Sequence, residues 1–277
     1  MDLQKKEDIA LRLLAAAQKS AGENPVEISY SGGKDSDVIL HLARKAGINA
    51  RPIYKNTTID PPGTIAHVIG KGVEIIEPKT TFLRLIDRKG LPTFVARFCC
   101  IALKEYKIED VAVQGIRRSE STKRAARYKE PEVCRVYSAT SKVRVFLPIL
   151  EWTDDDVERY IAQEHIECHP LYYDENGHFC VKKRLGCIGC PLAKDRGTRD
   201  FRRYPKMLRA WLKHLSIWYQ RPNIKSRETF GGDIYAHMAF HLFYKSMEEF
   251  QQASHGLGAV TDWKRALEDY FRIDLTI

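Results

Sequence analysis

Apolar positions along the chain change period several times. "PVEISYS" (residues 25–31) is a short apolar run that stops at Gly32–Gly33, and "DSDVILHLARKAG" (35–47) resumes at helical spacing and closes on a glycine. An amphipathic helix over about 3–20 precedes them. "NARPIYKNTT" (49–58) and "KGVEIIEP" (71–78) read as further strands, with a helix begun at "DPPGTIAHVIG" between them and another over 80–90. Strands follow at 111–116 and 143–150, and Thr153 with its run of three aspartates marks a capped helix through 165. Strands alternating with helices predict an α/β fold, a doubly wound parallel sheet that binds ligands at the C-terminal ends of its strands. From about 166 the pattern changes to an irregular cysteine-containing stretch and then helices rich in aromatic and basic residues. The expected division is therefore 1–165 and 166–277, with no repeat or low-complexity linker between them. Within 230–250 the spacing predicts a buried helix with Met238, Phe240 and Phe243 in its core.

Composition narrows the class. At 277 residues, 44% apolar and 29% charged, the chain can build a sizeable core and is not disordered. No apolar run nears the roughly 20 residues needed to span a bilayer, and the charged start "MDLQKKEDIALRLL" is unlike a signal peptide. A cytoplasmic protein without a membrane partner is expected. The net charge of +9 concentrates in "GIRRSESTKRAARYK" (115–129), "VKKR" (181–184) and "KDRGTRDFRRYPK" (194–206). Such clusters imply a polyanionic partner, a nucleotide or a nucleic acid, against the alternative of a solvated basic face. Phe201, Tyr204 and Trp211 near the last cluster either stack on nucleic acid (DNA or RNA) or fill the core of a helical layer.

The chemistry concentrates in "YSGGKDSDVIL" (30–40). Gly32 and Gly33 let the backbone turn sharply and approach an anion, and the amides opening the next helix point at it. Ser31, Lys34 and Ser36 add donors, and Asp35 or Asp37 could help hold Mg²⁺. Neither the Walker A nor the dinucleotide-fold glycine spacing is present. The stretch resembles the PP-loop, S-G-G-x-D-S, of the ATP pyrophosphatase superfamily. Together with "YKNTTIDPPGTIAHVI" (54–69), "GIRRSES" (115–121), "LPILEWTDDDVERYI" (147–161) and "HPLYYDENGHFCVKKRLGCIGCPLA" (169–193), it resembles the phosphoadenosine phosphosulfate (PAPS) reductase family over roughly 25–210. The resemblance implies an adenine nucleotide alpha hydrolase-like fold, a loop (Ser31, Gly32, Gly33, Lys34, Asp35, Ser36) with Asp60 and Gly115 binding ATP, and Arg117 and Arg118 opposite it on phosphate or sulfate oxygens. Lys34, Asp35, Arg117 and Arg118 would be the catalytic set.

Seven cysteines include "CC" at Cys99–Cys100 and "CIGC" at Cys187–Cys190, spacings that read as a metal or redox site before they read as disulfides. The pattern resembles the [4Fe–4S] site of adenosine phosphosulfate (APS) reductases, which implies Cys99, Cys100, Cys187 and Cys190 as ligands. Structural Zn²⁺ and reversibly paired thiols stand as alternatives, with Cys180, His169 or His178 as substitute ligands. Cys134 and Cys168 read as buried small apolar residues.

The resemblance breaks at two points. Sulfonucleotide reductases use a cysteine near the C-terminus as nucleophile, and no cysteine follows Cys190 here. Their loop also departs from S-G-G-x-D-S, whereas this one keeps the form used by enzymes that split ATP. The expected activity is therefore ATP-dependent adenylation of an acceptor for sulfur transfer, releasing pyrophosphate. Expected partners are an adenine nucleotide, a sulfur donor or electron-transfer protein, and a nucleic acid as acceptor. The alternatives are an APS or PAPS reductase with an external thiol and a nucleic-acid-binding module with a regulatory nucleotide site.

Overall fold

The computed structural model describes residues 2–138, 141–255 and 259–277. In chain order its elements are α1 (Leu3–Ala21), β1 (Val26–Tyr30), α2 (Lys34–Lys45), β2 (Ala50–Lys55), α3 (Thr64–Gly70), β3 (Glu74–Ile76), α4 (Phe82–Lys89), α5 (Phe98–Leu103), β4 (Val111–Gln114), α6 (Thr122–Arg127), β5 (Glu132–Ser138), β6 (Ser141–Phe146), α7 (Asp154–Gln163), α8 (Thr198–Arg203), α9 (Pro205–Tyr219), α10 (Lys225–Thr229), α11 (Ile234–Phe243), α12 (Met247–His255) and α13 (Trp263–Phe271). They group into two compact units. Among the described residues no helix is long and apolar enough to cross a membrane.

The first unit comprises Met1–Asn56, Asp60–Pro78 and Lys104–Gly186. Its six-stranded sheet has the order β3-β2-β1-β4-β6-β5. The pairs β1–β2, β2–β3, β1–β4 and β4–β6 are parallel, as the alternation of strands and helices predicts. β5 runs antiparallel to β6 and was not expected. Its residues alternate between half-buried and exposed, the habit of a one-sided edge strand, so it lacks the continuous apolar run of its buried neighbours. Val26 and Ile28 of β1 and Val111 and Val113 of β4 turn into a core with α1, α2 and α7. Thr153 caps α7 in a capping box with Asp156, as the sequence indicates.

The topology also locates a crevice. β2 lies on one side of β1 and β4 on the other, so the winding reverses at β1. At such a switch point the connections leave the C-terminal strand ends in opposite directions and open a cleft. The chain at that edge is the glycine pair after β1 and Gly115 after β4.

The second unit comprises Thr57–Ile59, Lys79–Leu103 and Cys187–Ile277. The division expected at 165/166 thus falls at 186/187, and an inner segment of the chain joins the later part. The amphipathic α4 explains this: Phe82, Leu85 and Ile86 bury into one apolar cluster with Leu208, Trp211 and Leu215 of α9. Composition along the chain does not show such a long-range pairing. Phe201 and Trp211 lie in the same core, fully buried, so neither offers a stacking face to nucleic acid. The basic side chains stay outside, with Arg202 4.4 Å above the Tyr270 ring. Met238 is core, whereas Phe240 is partly buried and Phe243 is 37% exposed.

Candidate functional site

β1 ends at Tyr30, and the chain turns through Gly32 at φ +76°, a conformation that glycine adopts without steric cost. Gly33 then caps α2: its carbonyl accepts from Ser36 N at 2.9 Å, Asp37 N at 3.0 Å and Ser36 Oγ at 2.7 Å. Ser31 Oγ donates to Ser36 Oγ across the loop (3.3 Å) and accepts from Gly33 N (3.4 Å). The loop is therefore folded on itself around the start of the helix, the geometry that favours an anion.

A cavity opens beside it, lined by Ser29, Ser31, Gly33, Lys34, Asp35 and Ser36 on one side and by Gly115, Glu120, Arg124, Tyr172, Arg184 and Leu185 on the other. Lys34 is buried, with its Nζ 3.2 Å from Asp35 Oδ2 and 5.5 Å from the centre of the Tyr172 ring. Gly115 must be glycine, because a Cβ there would sit 2.8 Å from the Asp35 carbonyl oxygen. Arg124 pairs with Glu120 and stands near Arg184; burial first, then the charge of Arg184, lowers its affinity for its proton. Two guanidinium groups held in each other's field at a cavity wall suit a polyanion.

Of the arginine pair expected to face the loop, Arg117 bonds to the loop's Asp35 without lining the cavity, and Arg118 is turned away. Arg117 is 1% exposed, and its Nε donates to Asp35 Oδ1 (2.7 Å), its Nη2 to Asp154 Oδ1 (2.8 Å) and its Nη1 to Ser119 Oγ (2.9 Å). Arg118 donates to the Tyr128 and Lys129 carbonyls and pairs with Glu151. Neither lines the cavity. Carboxylates on other segments and nearby backbone carbonyls claim these forks, so Arg117 orients Asp35 and Arg118 braces the surface. Arg124 and Arg184 line the cavity instead. Both fall inside basic clusters that the charge pattern marks, but charge alone does not say which arginine turns inward. Ser29, Glu120 and Tyr172 were likewise not anticipated. Asp60 is not part of the lining and accepts from Tyr54 Oη.

Cys99, Cys100, Cys187 and Cys190 all belong to the second unit. Cys99 lies close enough to Cys100 and Cys187 that hydrogen bonding with Cys100, burial and both neighbours' charge push its thiol pKa up. Cys187 Sγ is 3.7 Å from Thr57 Oγ1. Gly189, at φ +73°, makes the turn inside "CIGC". Among the described residues, however, no three His, Cys, Asp or Glu side chains form a group that could hold a metal ion, so the expected ligand set for a cluster or for zinc is not assembled. Cys168 is buried as expected; Cys134, on the edge strand, is exposed.

Residues 25–193 match the model of the phosphoadenosine phosphosulfate reductase domain. The chain belongs to that family. As a PAPS reductase domain it carries the PP-loop directly after β1. Among curated proteins it is similar to sulfate adenylyltransferase subunit 2 of Brucella anthropi, 31% identical over 200 residues, covering 60% of this chain and 64% of that protein. The protein of the same name from Geobacter metallireducens is 32% identical over 193 residues, covering 54% and 60%. The chain thus spans less than two thirds of the length of these relatives. A PAPS reductase of Candida auris, solved as a phosphate complex, aligns with 87% of its chain to 64% of this one at 18% identity and a TM-score of 0.45.

Proposed function

We propose that this PAPS reductase family domain binds ATP through its phosphates at the 31–36 loop and adenylates an oxyanion acceptor, releasing pyrophosphate. The observation that carries the reading is the cavity wall in which Lys34, Arg124 and Arg184 face the twin-glycine loop. The similarity to sulfate adenylyltransferase subunit 2 supports the same chemistry and makes sulfate the first acceptor to test.

The loop amides and the Ser31 and Ser36 hydroxyls hold the β,γ-phosphates. An acceptor oxygen attacks the α-phosphorus, a new P–O bond forms, and the bond to the pyrophosphate oxygen breaks with its electron pair going to the leaving group. Lys34, Arg124 and Arg184 stabilise the charge that gathers on the departing phosphates, the main contribution a protein can make to such a transfer. Arg117 acts one step back, fixing Asp35 at the rim. Asp35 and Glu120 are the lining carboxylates available to Mg²⁺ arriving with the triphosphate, an ion that keeps most of its ligands as phosphate oxygens and water. The adenylate then carries AMP as leaving group, so a later sulfur nucleophile can displace it. An iron–sulfur cluster on Cys99, Cys100, Cys187 and Cys190 is no step of this proposal; iron analysis of anaerobically purified protein tests for it.

The decisive assay is ATP–pyrophosphate exchange with sulfate and with single-stranded nucleic acid as acceptors. The reading expects exchange that depends on one of them and falls about a hundred- to a thousandfold in Lys34→Ala. Sulfite release from APS or PAPS with reduced thioredoxin, without exchange, would establish a reductase instead.

A further inference from the structure

Directly behind the phosphate loop lies a buried polar cluster that the adenylation chemistry does not use. Asp37 follows the loop on the first turn of α2, and its side chain is fully buried. It accepts a hydrogen bond from the hydroxyl of Tyr30, the residue immediately before the loop. Its two carboxylate oxygens lie 3.1 and 3.2 Å from His67 Nε2 of α3. The thiol of Cys168 is a third neighbour. His67 in turn lies between two rings, stacked on Tyr30 at 6.3 Å and edge-on to His169 at 5.6 Å. His169 Nδ1 accepts from Leu171 N (3.1 Å), so its Nε2 carries the hydrogen and donates to Thr64 Oγ1 at 3.4 Å. The Thr64 methyl would lie 3.2 Å from a Cβ at Gly32, so the chain of contacts returns to the loop.

Residues 30 and 37 bracket the loop, and they are bonded to each other. A carboxylate this deep is costly unless its lone pairs are filled, and here the filling partners come from the strand end, from α3 and from the 168–169 segment. Breaking one bond therefore releases the loop from its base without touching any residue that faces the cavity. We propose that the Tyr30–Asp37 hydrogen bond, held by His67, is a staple that closes the phosphate loop and sets its shape before any anion arrives. Tyr30, Asp37 and His67 are then positioning residues, and the proposal extends to any anion the loop takes, whether or not ATP is its substrate.

Hydrogen–deuterium exchange of the ligand-free protein tests it, comparing wild type with Tyr30→Phe and His67→Gln. The staple requires amides 32–37 to exchange about tenfold faster in Tyr30→Phe and by a smaller factor in His67→Gln, while α1 and β4 exchange as in wild type and the melting temperature falls by only a few degrees. Inorganic pyrophosphate, used as the probe anion, should bind about tenfold more weakly to both. Unchanged loop exchange in both variants overturns the proposal, as does acceleration spread evenly over the first unit, which marks general loosening. If wild type binds no pyrophosphate, the adenylation reading falls by itself and the exchange result alone decides the staple.

Discussion

The two units treat ionisable groups in opposite ways. In the first, the ionisable side chains around the loop are interlocked with partners: Arg117 between Asp35 and Asp154, Lys34 against Asp35, Asp37 among Tyr30 and His67. In the second, buried titratable groups are kept neutral. His237 is stacked on Phe230 at 4.5 Å and bonded to Tyr219 Oη at 3.0 Å, and burial pulls its pKa down to about 3. His241, beside Trp211, is pulled down to about 4 by burial and then by Arg196. The contrast separates a region whose polar side chains pair with one another around a cavity from one built for packing, although both are rich in arginine and histidine. Residue type alone does not distinguish them; the partners do.

The largest expected effect concerns acid. Both histidines have folded-state pKa values below the ordinary value of about 6.5, so the unfolded chain binds the extra protons. Their contribution is fully present above pH 6.5 and is lost as pH falls from there toward 4. Two such groups give a slope of up to about 2.7 kcal/mol per pH unit. Urea unfolding followed by fluorescence of Trp211 and Trp218 between pH 7 and 4.5 measures it, and His237→Phe should flatten the curve.

Next is the cavity wall. Arg124→Ala combined with Arg184→Ala should weaken ATP binding by about two to four orders of magnitude, since hydrogen bonds to charged groups contribute about 1.5–3 kcal/mol each. Stability should change by no more than about 1 kcal/mol, because relief of repulsion between two neighbouring cations offsets the lost Arg124–Glu120 pair; calorimetry and a melting curve report both. Gly115→Ala forces Asp35 and the loop apart and is expected to cost about 1–3 kcal/mol, read from the urea midpoint. Smallest is Arg118→Ala, which severs a surface pair with Glu151 and should change stability by at most about 1 kcal/mol and ATP affinity less than twofold. An Arg118→Ala effect as large as that of the double variant would erase the distinction drawn between the arginines.

Much of the first unit could be read from the chain. Apolar runs ending at glycine gave β1 and its loop, because a parallel central strand is buried on both faces and leaves a continuous signature. The loop residues Ser31 to Ser36 sit where the motif implies. The arginines could not be read, because which guanidinium turns inward depends on whether a carboxylate on another segment claims it, as Asp154 claims Arg117. The unit boundary failed for a related reason: α4 joins α9 through an apolar face whose partner lies far along the chain. Phe201 and Trp211 show the limit of composition, since aromatic residues beside arginines fit a nucleic-acid surface and a core equally well until burial is known.

A crystal structure of the protein with a non-hydrolysable ATP analogue and Mg²⁺ bears most directly on the central claim. The account requires the β- and γ-phosphates within hydrogen-bond reach of the Gly33 to Asp35 amides, with Arg124 and Arg184 on their oxygens. Phosphates found away from that loop, or a nucleotide held with both arginines turned to solvent, would contradict it.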